Sequence, residues 1–352
     1  MSEIDTPGFS VVIPNYNGLV YLRDCFNSLR KSNYPNLEII MVDNGSTDES
    51  VTFVEQNYPE VMIIRSETNL SYSGGSNLGI QHATGEYVVL LNNDTEVTTG
   101  WLDPLLEEFQ SNSQLAACQP KILSMSDHTM FEYAGAAGGF MDPLGYPFLR
   151  GRIFDTLEKD EGQYDDSIDL FWTSGAAMAI RKQVLDESGL LDEDFVLHME
   201  EIDLCWRMHL LGHQLSIRPD AVIYHHGGGT LGAEKMSKMY YNHRNSVFML
   251  FKNYSLKRLL LVFPIRFLLD MTLIVKSALA LDWKRALAVI KAYLWLITHP
   301  RLILRKRRAI QKLRRTSDRD IDPYLLNGSL VLRYYLLRKK TFTEMWPAPD
   351  RI

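Results

Sequence analysis

The stretch that decides the fold is GEYVVLLNND, residues 85–94, in which a run of apolar, strand-forming residues ends on three polar ones. Near-continuous apolar runs of this kind are typical of strands in a parallel sheet that is covered on both faces. Asn92 and Asp94 are two positions apart, so in an extended segment their side chains point the same way. Their oxygens suit a hard divalent cation, Mg²⁺ or Mn²⁺, held by protein groups together with substrate phosphates. On its own the triplet fits equally well an Asx-rich turn ahead of the helix predicted from Trp101.

Similar apolar runs on either side of this stretch alternate with helical patterns, which predicts an α/β fold. Strands are predicted at 10–13, 37–42, 61–65 and 86–91, and helices around 22–29, 49–56, 77–83 and 101–109. Later segments predict strands at 176–180 and 221–224 and a helix over 200–211, whereas 123–170 is expected to form loops with a short hairpin. We therefore expect a doubly wound, mostly parallel sheet with helices on both faces, followed by a C-terminal helical region.

The composition of the chain is that of a folded globular protein, with 352 residues of which 46% are hydrophobic and 23% charged. Cys25, Cys118 and Cys205 are odd in number and far apart, which argues against a disulfide framework and a cysteine metal motif. A reducing, cytoplasmic compartment follows. The first nine residues contain no apolar stretch, so a signal peptide is not expected.

The polar residues after the first strands are candidates for a ligand site, because ligands of open α/β sheets bind beyond the carboxyl ends of the strands. Pro14, Asn15 and Asn17 follow the first strand, and Asp43 follows the second. A carboxylate at position 43 can accept hydrogen bonds from a pyrimidine N–H or from ribose hydroxyls. A simple turn is the alternative for the first of these loops.

A glycine-rich segment, NLSYSGGSNLGI, occupies residues 69–80. Gly74 and Gly75 precede the helix predicted from Asn77, whose N-terminal amides could face a phosphate; a flexible surface loop is the alternative. The G-x-G-x-x-G spacing of dinucleotide-binding folds is absent, and so is a Walker loop. These absences disfavour a nicotinamide-dependent dehydrogenase.

Two later segments carry candidate acids and bases. Glu200, Glu201 and Asp203 begin a predicted helix, where acids complement the helix dipole, but one of three acids in this place could also act as a general base. His225 and His226 end a predicted strand ahead of three glycines, a pattern that favours contact with a metal or a phosphate.

In their order and spacing these segments resemble family-two glycosyltransferases with the GT-A fold, most of all the bacterial rhamnosyltransferase-type branch. The similarity extends from about Ser10 to Asn253. It places a nucleotide-sugar-binding catalytic domain at residues 1–235 and a helical region at residues 236–352. The resemblance implies a nucleotide-sugar donor and Mg²⁺ or Mn²⁺ as cofactor.

The resemblance also assigns roles to individual residues. Glu201 would be the catalytic base, with Glu200 as the alternative, and Asp94 would bind the metal, with Asn92 in place of the first aspartate of the family's D-x-D element. His225 would be the second metal ligand, with His226 as its competitor. The remaining expected contacts are donor binding by Pro14, Asn15, Asn17, Asp43, Gly74, Gly75, Asn77, Asn92 and Asn93, and acceptor binding by Trp172, Gly175 and Asp203.

The expected reaction is transfer of a sugar, with inversion, from a UDP- or dTDP-linked donor to a hydroxyl of a glycan or lipid-linked acceptor in cell-surface polysaccharide synthesis. Rhamnose from dTDP-rhamnose is one donor the resemblance suggests. The alternative is a catalytically inactive scaffold of the same fold. A nucleotidyltransferase is disfavoured because the PNYNG loop at residues 14–18 has no basic residue, and a processive synthase because spanning helices and a Gln-x-x-Arg-Trp-like motif are not seen.

The C-terminal region is expected to contact a membrane surface. Residues 256–304 hold apolar stretches interrupted by charges, and residues 301–315 hold eight basic residues and no acidic one. Such patterns favour amphipathic helices on the anionic inner face of a membrane over a spanning helix or a nucleic-acid-binding module. The enzyme would then be peripheral at the inner face of the cytoplasmic membrane, through residues 256–315. The alternative is a helical domain that packs on itself or in a homodimer.

Overall fold

The structure is a computed structural model that describes residues 7–227 and 236–347. Its twelve described strands alternate with helices through the first two thirds of the chain. The strands are β1 (Phe9–Asn15), β2 (Leu37–Asp43), β3 (Met62–Arg65), β4 (Tyr87–Leu91), β5 (Thr95–Val97), β6 (Leu115–Ser124), β7 (Gly139–Met141), β8 (Pro147–Leu149), β9 (Arg152–Ile153), β10 (Thr156–Leu157), β11 (Ala177–Arg181) and β12 (Gln214–His225).

Six helices accompany the strands and seven more follow them within the described residues. They are α1 (Leu19–Arg30), α2 (Ser50–Asn57), α3 (Ser71–His82), α4 (Leu102–Ser111), α5 (Lys182–Ser188), α6 (Glu200–Leu211), α7 (Met236–Asn253), α8 (Leu256–Leu279), α9 (Trp283–Thr298), α10 (Pro300–Leu313), α11 (Asp318–Ile321), α12 (Leu330–Tyr335) and α13 (Phe342–Met345). Short 3₁₀ helices cover Glu193–Phe195 and Asp322–Tyr324.

The central sheet has eight strands in the order β3-β2-β1-β4-β11-β6-β12-β5. The pairs β2–β3, β1–β2, β1–β4 and β6–β12 are parallel, whereas β11 and β5 run antiparallel to their neighbours. The expectation of a mostly parallel α/β sheet is therefore confirmed. The carboxyl ends of β1, β2, β4 and β12 reach the same edge of the sheet, so residues far apart in sequence meet there.

Each face of this sheet has its own hydrophobic core, because side chains alternate along a strand. In β1, Val12 packs into one core and Val11 and Ile13 into the other. Helices α1, α2 and α4 supply residues to the second core, while α3, α5 and α6 supply residues to the first. This covering of both faces explains why β1, β2 and β4 are almost uniformly apolar.

The glycine-rich segment is where the predicted secondary structure was wrong. It is not a loop before a short helix, because Gly74 and Gly75 lie inside α3, which already begins at Ser71. A Cβ at position 75 would lie 2.4 Å from the Asn44 amide nitrogen, and one at position 79 would lie 2.2 Å from a Val12 methyl. Glycine is required here because α3 lies close to the sheet, not because the segment is a flexible loop.

Two other regions were incompletely predicted. Strand β6 was not assigned, although it lies between β11 and β12 within the sheet. The segment expected to be loops with a short hairpin instead contains β7 to β10, which form a second, antiparallel four-stranded sheet. Strands of two or three residues are too short for an alternating pattern to be visible in the sequence.

The C-terminal helices pack onto the first core, to which Phe248 of α7, Leu296 of α9 and Ile310 of α10 contribute. Among the described residues no single helix is long and apolar enough to cross a membrane; α9 and α10, bent by 76° relative to each other, reach that length and apolarity only as a pair. The division into a catalytic domain ending at residue 235 and a helical region after it stays a prediction.

Candidate active site

The first part of the candidate site lies where β1 and β2 end side by side. Asn15 and Asp43 are register partners at these ends, and both are almost fully buried. The backbone N–H of Ser46 donates to Asp43 Oδ1 at 3.1 Å, and the Ser46 hydroxyl accepts from Asn15 Nδ2 at 3.3 Å. Asn17 closes the loop by accepting at Oδ1 from the Thr47 backbone N–H at 2.7 Å. These hydrogen bonds hold the loops after Pro14 and Asp43 together as one wall.

The end of β4 joins this wall through Asn93. Its Nδ2 donates to Asn15 Oδ1 at 2.7 Å. A Cβ at Gly18 would lie only 2.1 Å from the same Asn93 nitrogen, so glycine is needed for this close approach. The contact fixes the loop after β4 against the loop after β1, as expected for neighbouring parallel strands.

The residues that follow β4 contact the end of β12. His225 Nε2 lies 3.0 Å from Asp94 Oδ1 and 3.1 Å from Asn92 Nδ2. On the other side of the ring, His225 Nδ1 lies 3.1 Å from a carboxylate oxygen of Glu132. His226 is held differently, since only its backbone N–H reaches this group, donating to the Asp94 carbonyl at 3.0 Å. The geometry therefore favours His225 over His226 as the partner of Asp94.

The two carboxylates around His225 stabilise positive charge at this position. Burial by itself would lower the pKa of His225, but contacts with Asp94 and Glu132 outweigh it and raise that pKa to about 10. Burial would likewise raise the pKa of Asp94, and the hydrogen bond with His225 reverses this, so the pKa of Asp94 is lowered. Asp94 is therefore an ionised carboxylate at neutral pH.

The spacing of these atoms suits a divalent cation. Two ligands on adjacent positions of an octahedral ion with bonds of 2.0–2.1 Å are about 3 Å apart, and Asp94 Oδ1 and His225 Nε2 are separated by 3.0 Å. Because its raised pKa leaves His225 protonated when no ion is bound, an ion held by Nε2 would displace that proton. Among residues 7–227 and 236–347, no three histidine, cysteine or acidic side chains are arranged to hold a metal by themselves. An ion at Asp94 would thus need further ligands, as when Mg²⁺ is shared between one or two protein groups and substrate phosphates.

A pair of acids lies at the start of α6. Glu200 is buried and Glu201 is half-buried, and one carboxylate oxygen of each is shielded from solvent without a hydrogen-bond partner among the described residues. Burial raises the pKa of Glu201 to about 7. Burial and the neighbouring charge of Glu201 raise the pKa of Glu200 well above its ordinary value. The more buried Glu200 keeps its proton, so Glu201 is the one able to accept a proton near neutral pH.

Tyr72 interacts electrostatically with the two acids and forms a hydrogen bond with the backbone near the strand ends. Burial, and then the charges of Glu200 and Glu201, raise the pKa of Tyr72, so its hydroxyl keeps its proton. That hydroxyl donates to the Gly175 carbonyl at 2.6 Å. The next carbonyl along the chain, that of Ala176, accepts from the Asn92 backbone N–H at 3.0 Å. The backbone around Gly175 therefore lies between the acid pair and the group around Asp94.

With this geometry in place, the chain was compared with known proteins. The sequence model of "Glycosyl transferase family 2" matches residues 10–188, just over half of the chain. The chain belongs to glycosyltransferase family 2. The predicted family resemblance is thus confirmed, and so is the prediction that the protein is a glycosyltransferase.

Individual relatives of this family-two enzyme agree with that assignment. It is 24% identical over 261 residues to the N-acetylglucosaminyl-diphospho-decaprenol L-rhamnosyltransferase of Mycobacterium tuberculosis, covering 70% of this chain and 84% of the relative. The Drosophila melanogaster N-acetylgalactosaminyltransferase 6 is 27% identical, and the match covers 62% of this chain but only 34% of that relative.

Solved structures confirm the GT-A fold. The structure of GalNAc-T7 with UDP, GalNAc and Mn²⁺ has a TM-score of 0.56 at 18% identity, covering 70% of this chain and 48% of the other. The mannosyltransferase PcManGT of Pyrobaculum calidifontis, in complex with GDP-Man and Mn²⁺, has a TM-score of 0.50 at 16% identity and covers 88% and 81% of the two chains. At these identities the likeness shows the fold alone.

Three residues predicted to bind the donor have packing roles. Gly74 and Gly75 lie in the first turns of α3, where a Cβ at either position would collide with Leu70 or Asn44. Asn77 is buried, and its amide exchanges two hydrogen bonds of 2.9 and 3.0 Å with the Leu191 backbone. These residues fix α3 to its neighbours, and donor binding by this segment stays a prediction.

Two residues predicted on the acceptor side are also structural. Asp203 is fully buried and accepts hydrogen bonds from Arg207 at 3.0 Å, Lys252 at 2.8 Å and Asn253 at 2.9 Å. Trp172 is buried, with its indole N–H donating to the Phe140 carbonyl at 2.8 Å. A side chain enclosed in this way has no surface left for an acceptor. Gly175, the third of the set, does lie at the candidate site.

The sequence did not point to three residues of the candidate site: Glu132, Tyr72 and Asn245. Glu132 lies in the segment expected to be loops, and no spacing relates it to His225. Asn245 is on α7, a helix that the sequence indicated without suggesting a contact with the site. Part of the glycine-rich segment that follows the two histidines lies outside the described residues, namely Gly228, Gly229 and Thr230.

Asn245 holds the loop that leads into the acid pair. Its Nδ2 donates to the carbonyls of Phe195 at 2.9 Å, Leu197 at 2.7 Å and His198 at 2.7 Å. In this loop Val196, His198 and Met199 have φ values of 65°, 66° and 72°. Left-handed backbone costs about 1–3 kcal/mol for each such residue and persists only where neighbours enforce it. Asn245 therefore enforces the backbone that places Glu200 and Glu201.

We expect Asn245→Ala to lower kcat by about 100-fold, because a displacement of about 1 Å at a reacting group has that effect. Donor binding should be unchanged, and the pH–rate profile should shift to lower pH, because a less buried Glu201 has a lower pKa. Steady-state kinetics between pH 5 and 9 measure both effects. The matched control is Asn242→Ala on the same helix. Equal losses in the two variants, or an unmoved pH profile, would contradict this role.

Proposed function

We propose that this glycosyltransferase moves a sugar from a nucleoside diphosphate donor to an acceptor hydroxyl with inversion of the anomeric centre. The observation that carries the proposal is the arrangement around one sheet edge. An ionised carboxylate with a histidine at ligand spacing, Asp94 and His225, lies at this edge. Tyr72, which interacts electrostatically with the proton-accepting Glu201, is hydrogen-bonded to the backbone of Gly175 next to it. One general base and one site for a diphosphate are what a single displacement needs.

The donor nucleoside is assigned to the wall formed by Asn15 and Asp43. Asp43 can accept hydrogen bonds from a pyrimidine N–H or from ribose hydroxyls, which fits a UDP- or dTDP-linked sugar. Asn93 borders the same wall through its hydrogen bond to Asn15. The name of the mycobacterial relative, an L-rhamnosyltransferase, supports dTDP-rhamnose as one donor to test.

Asp94 and His225, with Asn92 beside them, are the residues that would hold Mg²⁺ or Mn²⁺ together with the donor diphosphate. The ion would neutralise charge on the departing diphosphate. Asp94 is buried and charged, so it is fixed in place before the donor arrives. Glu132 behind His225 orients the imidazole ring, as carboxylates behind metal-bound histidines commonly do.

In the proposed reaction Glu201 removes the proton of the acceptor hydroxyl. The oxygen of that hydroxyl forms a bond to the anomeric carbon while the bond from this carbon to the diphosphate oxygen breaks. The electron pair leaves with the nucleoside diphosphate, and the proton stays on the Glu201 carboxylate. Because Glu200 stays protonated, it does not compete as a base and adds no second negative charge next to Glu201.

The acceptor is proposed to be a glycan or a lipid-linked glycan in cell-surface polysaccharide synthesis. The name of the mycobacterial relative contains a diphospho-decaprenol acceptor, a lipid-linked one. An enzyme for such an acceptor would be peripheral at the inner face of the cytoplasmic membrane.

A screen of nucleotide sugars tests the proposed function. UDP- and dTDP-linked sugars are incubated with the purified chain and Mg²⁺ or Mn²⁺, and release of nucleoside diphosphate and thermal stabilisation are measured. We expect at least one donor to be hydrolysed slowly without acceptor and to lose that turnover on chelation. Stabilisation by a donor without any turnover or transfer would instead support an inactive scaffold.

A further inference from the structure

Two neighbouring C-terminal helices expose long apolar stripes. On α8 the exposed positions 261, 265, 268, 272, 275 and 279 are spaced by four and three residues, so they share one face, and all but Thr272 are large and apolar. On α9 the exposed apolar positions 283, 287, 290, 294 and 297 repeat the same spacing. Exposed apolar stripes on neighbouring helices mark an interaction site.

The turn that joins α8 to α9 is the most apolar part of this surface. Leu279, Leu281 and Trp283 expose 81%, 74% and 57% of their surface there. Lys276 and Lys284, both exposed, lie next to them in sequence. A tip with large apolar side chains, a tryptophan and adjacent lysines has the composition of segments that enter the interfacial layer of a bilayer.

Seven of the eight basic residues at 301–315, on α10 and just after it, divide into an inner and an outer set, and the eighth, Arg315, pairs with Glu187 at 2.7 Å. Lys306 pairs with Asp192 at 2.6 Å, Arg307 donates to the Phe251 carbonyl at 2.7 Å, and Arg314 donates to the Asn253 carbonyl. These three hold the helix to the protein. The outer set consists of exposed residues at i, i+4, i+7 and i+11, which form one stripe without ion pairs among the described residues: Arg301, Arg305, Arg308 and Lys312.

The charge around these helices is one-sided. Residues 256–313 contain two acids, and Asp270 is fully buried against Arg266 at 2.8 Å. The other, Asp282, caps α9 and pairs with Arg285 at 3.1 Å. Two copies of such a surface would bring like charges together, which disfavours a homodimer through this face. An anionic bilayer complements both the apolar stripes and the basic stripe.

We propose that the α8–α9 hairpin and the outer stripe of α10 form a docking surface for anionic lipid bilayers. Leu279, Leu281 and Trp283 insert at the interface, while the four outer basic residues of α10 bind lipid headgroups. This inference deepens the proposed use of a lipid-linked acceptor, yet the docking does not depend on sugar transfer. It also corrects the simpler expectation that the whole basic segment faces the membrane, because its inner set is engaged with the protein.

The test is co-sedimentation of the full chain with vesicles of phosphatidylcholine, with and without phosphatidylglycerol, at low and high salt. We expect binding to the anionic vesicles at low salt and a loss of binding at high salt. Replacing Arg301, Arg305, Arg308 and Lys312 by Gln should lower the partition coefficient at least about tenfold, since each basic residue near an anionic surface contributes measurably. Replacing Leu279, Leu281 and Trp283 by Ser should lower the partition coefficient at low salt as well.

The matched control is Met62→Ser on edge strand β3, which removes another exposed apolar side chain, 44% accessible, outside the docking surface. Thermal melting shows whether each variant is folded. Equal binding by all variants, or no binding to anionic vesicles, would overturn the proposal. If light scattering shows a dimer that the Ser variants dissociate, the surface is a subunit interface instead. Donor hydrolysis is measured on the same samples, so a failure of docking is distinguished from a failure of catalysis.

Discussion

Replacing Glu201 by glutamine is expected to lower turnover by about 10²–10⁴-fold, the usual contribution of a general base. Donor binding should survive, because Asn15, Asp43 and Asp94 are untouched. Glutamine has nearly the same shape, so the loss would come from the missing proton acceptor. Single-turnover kinetics together with calorimetric titration of the donor measure the two effects separately.

The same substitution at the neighbouring acid is the control. We expect Glu200→Gln to remain active, because that carboxyl is protonated at neutral pH and an amide resembles it. In the unmodified enzyme the rate should rise with pH through about 7, since burial raises the pKa of Glu201 to about 7 and only the ionised form accepts a proton. An inactive Glu200→Gln beside an active Glu201→Gln would show that the two roles are reversed.

Replacing Asp94 by alanine is expected to weaken metal-dependent donor binding by at least about 100-fold. Loss of a residue that only orients a metal ligand weakens metal binding by up to about 100-fold, and Asp94 would be a ligand itself. The carboxylate is buried, ionised and 3.0 Å from His225 Nε2, whereas Glu132 contacts Nδ1 on the other side of the ring and so does not take its place. Calorimetry with and without a chelator measures the effect. Asp94→Asn keeps the shape and removes the charge, and it should lose nearly as much.

The control for this prediction is Asp103→Ala, which removes an exposed acid from α4 outside the site. Its donor binding should stay at the level of the unmodified chain and remain sensitive to chelation. Donor binding by Asp94→Ala that is as tight as in the unmodified chain, and insensitive to chelation, would refute the metal role of Asp94.

The residues at the strand ends could be predicted because their positions follow from local sequence. Asn15, Asp43, Asp94 and His225 each end an apolar run, and a parallel sheet brings the carboxyl ends of such runs to one edge. Asn15 and Asp43 are indeed paired in register, and Asp94 is in contact with His225 although 131 positions separate them. The doubly wound sheet was predicted for the same reason.

The remaining residues depend on contacts that no local pattern records. Asp203 was predicted on the acceptor side, but its position on α6 turns it toward Lys252 and Asn253, about fifty residues later in the chain. Gly74 and Gly75 looked like a flexible loop, although close packing of a helix against Asn44 also demands glycine. Glu132 lies in an irregular segment that is held to β6, where its backbone N–H donates to the Ile122 carbonyl at 3.1 Å.

The three hydrogen bonds of Asn245 also bear on the order in which the protein is made. The segment that carries the acids leaves the ribosome more than forty residues before Asn245, the residue that restrains it. During synthesis, the wall formed by Asn15 and Asp43 can therefore form before Asn245 supports the acid pair. The acids therefore reach their restrained position only after α7 has been translated and has docked.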